Sequence, residues 1–184
     1  MQDPHVCARC AAQGTTCCKL TPGEEGNCFP LSEVERSRIL AHCGDAGVFV
    51  VERNTGPFLL GLKRAFPGEE RLIEELFPVR EGATHHRLAT LPDGSCKLLG
   101  PQGCTLPREV RPYYCRLFPF WAVGRRIMIF ASARCLAQKE TAALARLTEA
   151  LGVTEAEIRR LHGCLRMAWG LSPRKGMPTV INRL

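Results

Sequence analysis

The sequence predicts a small α+β domain, irregular and rich in cysteine, with short strands and hairpins packed against several helices and organised around thiolate-bound metal. Three observations carry that prediction. Eleven cysteines in 184 residues are clustered, not scattered. Apolar residues recur at helical spacing near the C-terminus, whereas Gly and Pro cut residues 84–135 into short β-like runs. A hydrophobic content of 45% with 23% charged residues suits a globular chain and leaves wholesale disorder out.

The elements follow in order. Residues 1–30 read as a loop-rich, cysteine-bearing start, with "TPGEEGN" supplying turn residues. "SEVERSRILAHCG" predicts a helix with Ser32 as N-cap, Glu35 three residues later and Gly44 closing it. "FVVERNTGPFLLGL" reads as strand, turn and strand, and "PGEERLIEELFP" as a short helix between Pro67 and Pro78. "HHRLATL", Asp93-Gly94 and "CKLL" predict a hairpin, with "GPQG" as a second turn before Cys104. "RRIMIFASA" predicts a strand ending at Cys135, and "LAQKETAALARLTEALG" a helix closed by Gly152. Thr154 and Glu157 open a last helix, with Ile158, Leu161, Leu165 and Trp169 along one side. We read residues 1–170 as one domain and 171–184 as a flexible basic tail.

No apolar run approaches the ~18 residues of a membrane span, and the first thirty residues lack the pattern of a secretory signal. The expected compartment is the cytoplasm, where thiols stay reduced, so the odd number of cysteines does not suggest a disulfide framework. The formal net charge is +7. Nucleic acid would explain a basic surface, but the basic pairs Arg125-Arg126 and Arg159-Arg160 lack interleaved exposed aromatics, and we do not favour it. Two divalent ions held by four thiolates each would bring the charge to about +3, so buried sulfur accounts for part of the excess.

The cysteines carry the chemistry. Cys7-x2-Cys10 is the spacing with which two thiolates grip one metal. Cys17 and Cys18 follow as neighbours, and in extended chain they would face opposite sides, one towards one site and the other towards a second site or the core. Cys96, Cys104, Cys115 and Cys135 form a second set. Thiolates in fours suit zinc or iron, the iron as an ion or in a [4Fe–4S] cluster. Spacing leaves one site and two sites both open. Arg111 and Arg116 flank Cys115 and are expected to offset sulfur charge, while Phe118, Phe120 and Trp121 wall the site from water. Cys28 is a reserve ligand; Cys43 and Cys164 read as structural thiols. His5, His42, His85 and His86 could bind metal but are not needed. No P-loop, GxGxxG or nucleophile triad stands out.

The stretch "RPYYCRLFPF", preceded by paired cysteines and by an N-terminal cluster ending in Cys17-Cys18, resembles the YkgJ-type cysteine-cluster family, domains ascribed zinc or iron chelation. The likeness spans roughly residues 7–135. It implies ligand roles for Cys7, Cys10, Cys17, Cys18, Cys96, Cys104 and Cys115, with Cys135 matching a less rigid downstream cysteine. Two departures stand out: the spacing from Cys10 to Cys17 is wide, and the insert from Cys28 to Pro78 is long. A related cluster occurs in flagellin lysine-N-methylases, so the resemblance also implies an alternative, an iron–sulfur enzyme or redox accessory protein. The expected partner is a metal ion or cluster, with no membrane; a protein partner is not legible.

Overall fold

The computed structural model describes residues 6–14, 16–44 and 47–172. Among them the chain forms a small α+β domain of eight α-helices and three two-stranded antiparallel ribbons. None of the helices is long and apolar enough to cross a membrane. His5 and residues 173–184, most of the proposed tail, lie outside the described residues. Leu171, at its start, is buried in the core.

The start of the chain is not a plain loop. Helix α1 (Val6–Ala12) carries the CxxC pair, with Val6 and Cys10 buried. Helix α2 (Glu33–Cys43) starts at Ser32 through a full capping box, and Gly44 ends it. Glu35 does more than cap. It is 1% exposed, and its second oxygen accepts from the Tyr113 backbone N–H at 2.7 Å.

Strand β1 (Phe49–Arg53) forms as expected, but the predicted second strand is helix α3 (Gly56–Ala65). Thr55 caps it and Pro57 fits its first turn, and Phe58, Leu59, Leu62 and Ala65 form its buried side. The apolar run was ambiguous in period, and the cap decides it. Helix α4 (Glu70–Leu76) follows. Strand β2 (Thr84–Leu88) pairs with β1, Val51 opposite His86, instead of with residues 96–99. The Asp93-Gly94 turn is present, closed by the Leu91 N–H donating to the Ser95 carbonyl, but its arms are only a residue or two long.

Strands β3 (Leu99–Gly100) and β4 (Gly103–Cys104) make the second turn as predicted. Helix α5 (Tyr113–Leu117) carries Cys115 and Arg116. Strands β5 (Phe120–Val123) and β6 (Arg126–Ile129) form the third ribbon. Residues 136–152 split into α6 (Leu136–Glu140) and α7 (Leu144–Ala150), with Thr141 extended between them. The last helix, α8 (Glu155–Ala168), is capped by Thr154 and buries Ile158, Leu161 and Leu165.

The largest buried cluster is apolar and aromatic, built on Trp121, Phe66, Phe120, Leu161 and Leu165. The Trp121 indole N–H donates to the Ala65 carbonyl at 2.6 Å, locking β5 to α3. Arg166, 2% exposed, is held by Glu69 and the Ser172 carbonyl, so its buried charge is paired. A smaller cluster of Ile39, Val48, Leu98 and Leu106 lies beside Cys43, Cys96 and Cys104.

His85 stacks on Phe58 with ring centroids 3.9 Å apart. Its Nδ1 is 2.8 Å from the Asn54 side-chain oxygen. The Asn54 amide N–H donates to the Pro78 carbonyl, which fixes that oxygen as acceptor and puts the proton on Nδ1. Nε2 is buried without a partner, so a second proton would be unsatisfied. Burial holds the imidazole below its ordinary 6.5. The unfolded chain therefore binds the extra proton first. Stability from this site is complete above about pH 6.5 and is lost as pH falls through the depressed folded value. Thermal unfolding followed from pH 7.5 to 5 should show a midpoint that drops more steeply in the parent than in His85→Phe; equal slopes would remove His85 from the account.

Candidate metal centre

Cys7 and Cys10 lie one turn apart on α1, which puts their side chains on one face. That helix packs against α6 and β4. Arg9 forks onto Glu140 at 2.8 and 3.1 Å, tying α1 to the end of α6. The Cys10 thiol donates to the Arg134 carbonyl at 3.5 Å. Cys135, buried, is the N-cap residue of α6.

The Cys17-Cys18 segment is a turn, with the Lys19 N–H donating to the Thr16 carbonyl and the Cys18 N–H to the Thr16 hydroxyl. The turn overturns the alternating geometry expected of extended chain. Both residues line the same two cavities instead of facing separate sites. Backbone pairing straps this turn to the Asp93-Gly94 turn. The Cys96 N–H donates to the Cys18 carbonyl at 2.7 Å, and the Leu20 N–H to the Gly94 carbonyl at 2.9 Å. Lys19 pairs with Asp93 at 2.8 Å. Arg134 clamps the other side through the Lys19 carbonyl and the Thr21 hydroxyl.

These straps gather the chemistry. A cavity of about 90 Å³ has Cys7, Cys10, Cys17, Cys18, Cys96, Cys104, Cys115 and Cys135 all on its walls, with Arg111 among them. A second cavity of about 190 Å³ shares Cys17, Cys18, Cys96 and Cys115 with the first and adds Cys28, Glu35 and Tyr114 among otherwise mainly apolar walls. All eleven cysteines are free thiols. Cys43 and Cys164 line neither cavity. Nor does any histidine. Among the described residues, no three His, Cys, Asp or Glu side chains stand as a set that could hold one ion. The thiols border a space and do not converge on a point.

Cys18 is the electrostatic hub: its sulfur acts on Cys7, Cys17, Cys96, Cys104 and Cys115. Its own pKa is lowered, first by the hydrogen bond from Cys17, then by the Thr16 hydroxyl and the Arg111 charge. Cys17, the donor, is raised correspondingly. Burial pushes Cys96 up to about 12 and Cys28 to about 11. It raises Cys7 and Cys104 as well, against the pull of Arg111, and Cys115 most strongly, with Cys18 and Cys96 adding to it. Cys7, Cys17 and Cys115 are nonetheless exposed as residues, so the shared reason that Cys7, Cys17, Cys96, Cys104 and Cys115 stay protonated is crowding, each thiolate repelling the next.

The two arginines part company. Arg111 is half-buried on the cavity wall, its guanidinium donating to the carbonyls of Leu106 (2.8 Å) and Cys104 (3.3 Å). Arg116 lines neither cavity; it points to the other side of α5, towards Arg38, Arg160 and Glu157. Of the aromatics, Phe118 lines both cavities while Phe120 and Trp121 are core. Sequence reasoning missed Arg134, Thr16 and Glu35, which hold the thiol segments in place. No spacing marks them, since each acts on a residue distant in sequence or on its own turn. Comparison with models of known families, with curated proteins and with solved structures finds no match to this chain.

Gly94 is the tightest point of the arrangement. At φ +83°, a Cβ there would stand 2.1 Å from the Leu20 carbonyl oxygen. Gly94→Ala must therefore separate the two turns in addition to the ~1–2 kcal/mol of a left-handed non-glycine residue. Gly124, at φ +57° with open space around it, isolates the conformational part. Gly94→Ala should lower the unfolding midpoint clearly more than Gly124→Ala and speed thiol labelling at Cys17 and Cys18. Equal effects from the two variants would mean that the contact with Leu20 does not hold the site.

Proposed function

We propose that the protein binds zinc or iron through clustered thiolates. The observation that supports this reading most is that eight cysteines, from six separate segments, line one small cavity with the Arg111 guanidinium on its wall. Soft sulfur donors in that number suit zinc or an iron–sulfur centre and poorly suit magnesium or calcium. Cys7, Cys10 and Cys135 would hold the metal from the α1–α6 side, Cys17, Cys18 and Cys96 from the strapped turns, Cys104 from β4 and Cys115 from α5. Bound metal supplies a positive centre that replaces the thiol protons. Arg111 offsets the remaining sulfur charge. Four thiolates on one zinc ion lie about 3.8 Å apart, so a single ion would draw the sulfurs inward.

The space favours something larger than one ion as a second form of the same reading. About 90 Å³ is several times the ~10–15 Å³ that one water occupies by the same measure, which suits a multinuclear iron–sulfur centre or two ions. The adjoining cavity, walled by apolar side chains beside four of the same thiols, is the feature that favours the iron–sulfur enzyme or redox accessory alternative. Kinship with YkgJ-type cysteine-cluster domains and with flagellin lysine-N-methylases belongs to the proposal on sequence pattern alone. So does the cytoplasm, as the reducing compartment where free thiols persist.

Metal and acid-labile sulfide analysis of protein purified without oxygen tests the reading. Zinc near one or two per chain without sulfide supports a closed thiolate site, and iron with matching sulfide supports a cluster. The absence of both sinks the proposal. Cys18→Ser and Cys115→Ser should each lose most of the metal and several kcal/mol of stability, because the binding energy of a structural metal is folding energy. Cys164→Ser should keep its metal; three variants with equal metal content would discard the assignment.

Because the pKa values of Cys7, Cys17, Cys96, Cys104 and Cys115 are all raised, loading these thiols must expel protons. Zinc titrated into apoprotein at pH 7, in two buffers of different ionisation enthalpy, should release several protons per ion, and affinity should rise with pH. A proton count near zero would show that these thiols are not the ligands.

A further inference from the structure

The side of α5 turned away from the cysteines gathers four arginines around one carboxylate. Arg38, on α2, donates to the carbonyls of Val110 (3.2 Å) and Arg111 (2.9 Å). Arg116, on α5, reaches the preceding carbonyl, Glu109, at a long 3.4 Å. Arg108, from the same segment, reaches α8: its guanidinium is 3.8 Å from Glu157 and donates to the Leu151 carbonyl. Arg160 follows Glu157 by three residues on α8, so the two share a face. Helix α8 packs against both α5 and α2, which closes the group. Three of the four cations are thus anchored to or part of one stretch, residues 108–111, and the fourth stands beside Glu157.

Two members of this arrangement lack acceptors. The Arg116 Nε is buried with no hydrogen-bond partner. The Arg160 guanidinium donates to none of the described residues. Arg160, Arg38 and Arg108 stand close enough to Arg116 to act on its charge, as does Glu157. Arginine does not escape by losing its proton. Four cations and one carboxylate in a half-buried setting repel one another unless an anion sits between them.

We propose that Arg38, Arg108, Arg116 and Arg160 form a binding site for the phosphoryl group of a small phosphorylated molecule. A carboxylate offers two oxygens and is saturated by one or two guanidinium forks. A tetrahedral phosphoryl group offers three or more acceptors in different directions, which matches forks arriving from α2, α5, α8 and the 108–111 segment. Its double negative charge offsets most of the local excess. The site is independent of the metal reading, because Cys115 faces the cavities and Arg116 does not.

The test uses the full chain with inorganic phosphate and pyrophosphate as probes, against sodium chloride at matched ionic strength. Calorimetry should show saturable binding, tighter for pyrophosphate, and the unfolding midpoint should rise with either probe but not with chloride. Arg116→Gln with Arg160→Gln should weaken pyrophosphate binding at least tenfold. Without the probe, the same double variant should be as stable as the parent or more so, since like charges have been removed. Arginines that only brace the fold would lower stability under both conditions. Arg160→Gln alone, which breaks no hydrogen bond, gives the same reading if the double variant folds poorly. Parent protein that binds neither probe, or a double variant that binds as the parent does, overturns the proposal. So does single-stranded oligonucleotide bound more tightly than pyrophosphate with a steep salt dependence, which would assign the patch to a nucleic-acid backbone.

Discussion

Everything at the thiol cavity depends on two turns that touch through their backbones. The Cys17-Cys18 turn and the Asp93-Gly94 turn are some 75 residues apart in sequence and are joined by the Cys18–Cys96 and Leu20–Gly94 hydrogen bonds. The contact is possible because position 94 has no side chain: any Cβ there would run into the Leu20 carbonyl. Once these turns meet, Cys17, Cys18 and Cys96 share one wall, and α1 and α6 need only supply Cys7, Cys10 and Cys135 from the opposite side. The Arg9–Glu140 fork and the Arg134 clamp act on that second half. Both are partly exposed and individually modest; their effect lies in where they place the chain.

Helix α5 is short, and its two sides do different things. It presents Cys115 to the cavities and Arg116 to α8, one residue apart in a helix where neighbours diverge by about 100°. Its start is fixed from a distance, by the Glu35 carboxylate that both caps α2 and accepts the Tyr113 N–H. A buried carboxylate with its oxygens occupied by N–H and O–H donors is a strong orienting device, because losing any donor would leave a buried charge unsatisfied. Behind α5, the aromatic cluster of Phe29, Tyr114, Trp121 and Phe66 joins it to the main core. The thiols therefore sit at the edge of a conventional apolar core, which is large enough to define the helices around them.

The electrostatics of the two sides are opposites. At the cavity, burial and mutual repulsion raise Cys7, Cys96, Cys104 and Cys115 while Cys18 is lowered, with Arg111 favouring the thiolate at Cys7, Cys18 and Cys104. On the far side, arginines cannot neutralise, so repulsion persists. A cation suits the first and an anion the second. Both follow from one rule: charge gathered where water is scarce calls for a counter-charge.

The sequence alone determined what is local. The capping box at Ser32, the N-cap at Thr154, the apolar spacing of α8, the turns at Asp93-Gly94 and Pro101-Gln102, and the clustering of cysteines were all legible, because each depends on residues a few positions apart. Tertiary structure decided the rest. It made a helix of residues 56–65, where cap and burial outweighed an ambiguous apolar run. It paired β2 with β1 and not with its sequence neighbour, because a strand pairs with the edge that packing brings beside it. It turned Cys17 and Cys18 to the same space, since a turn has none of the alternation of extended chain. And it sent Arg111, just before α5, to the thiol cavity and Arg116, on α5, to the opposite side. Composition could place arginine beside cysteine; only the packing of α5 between the thiol turns and α8 could say which arginine faces sulfur.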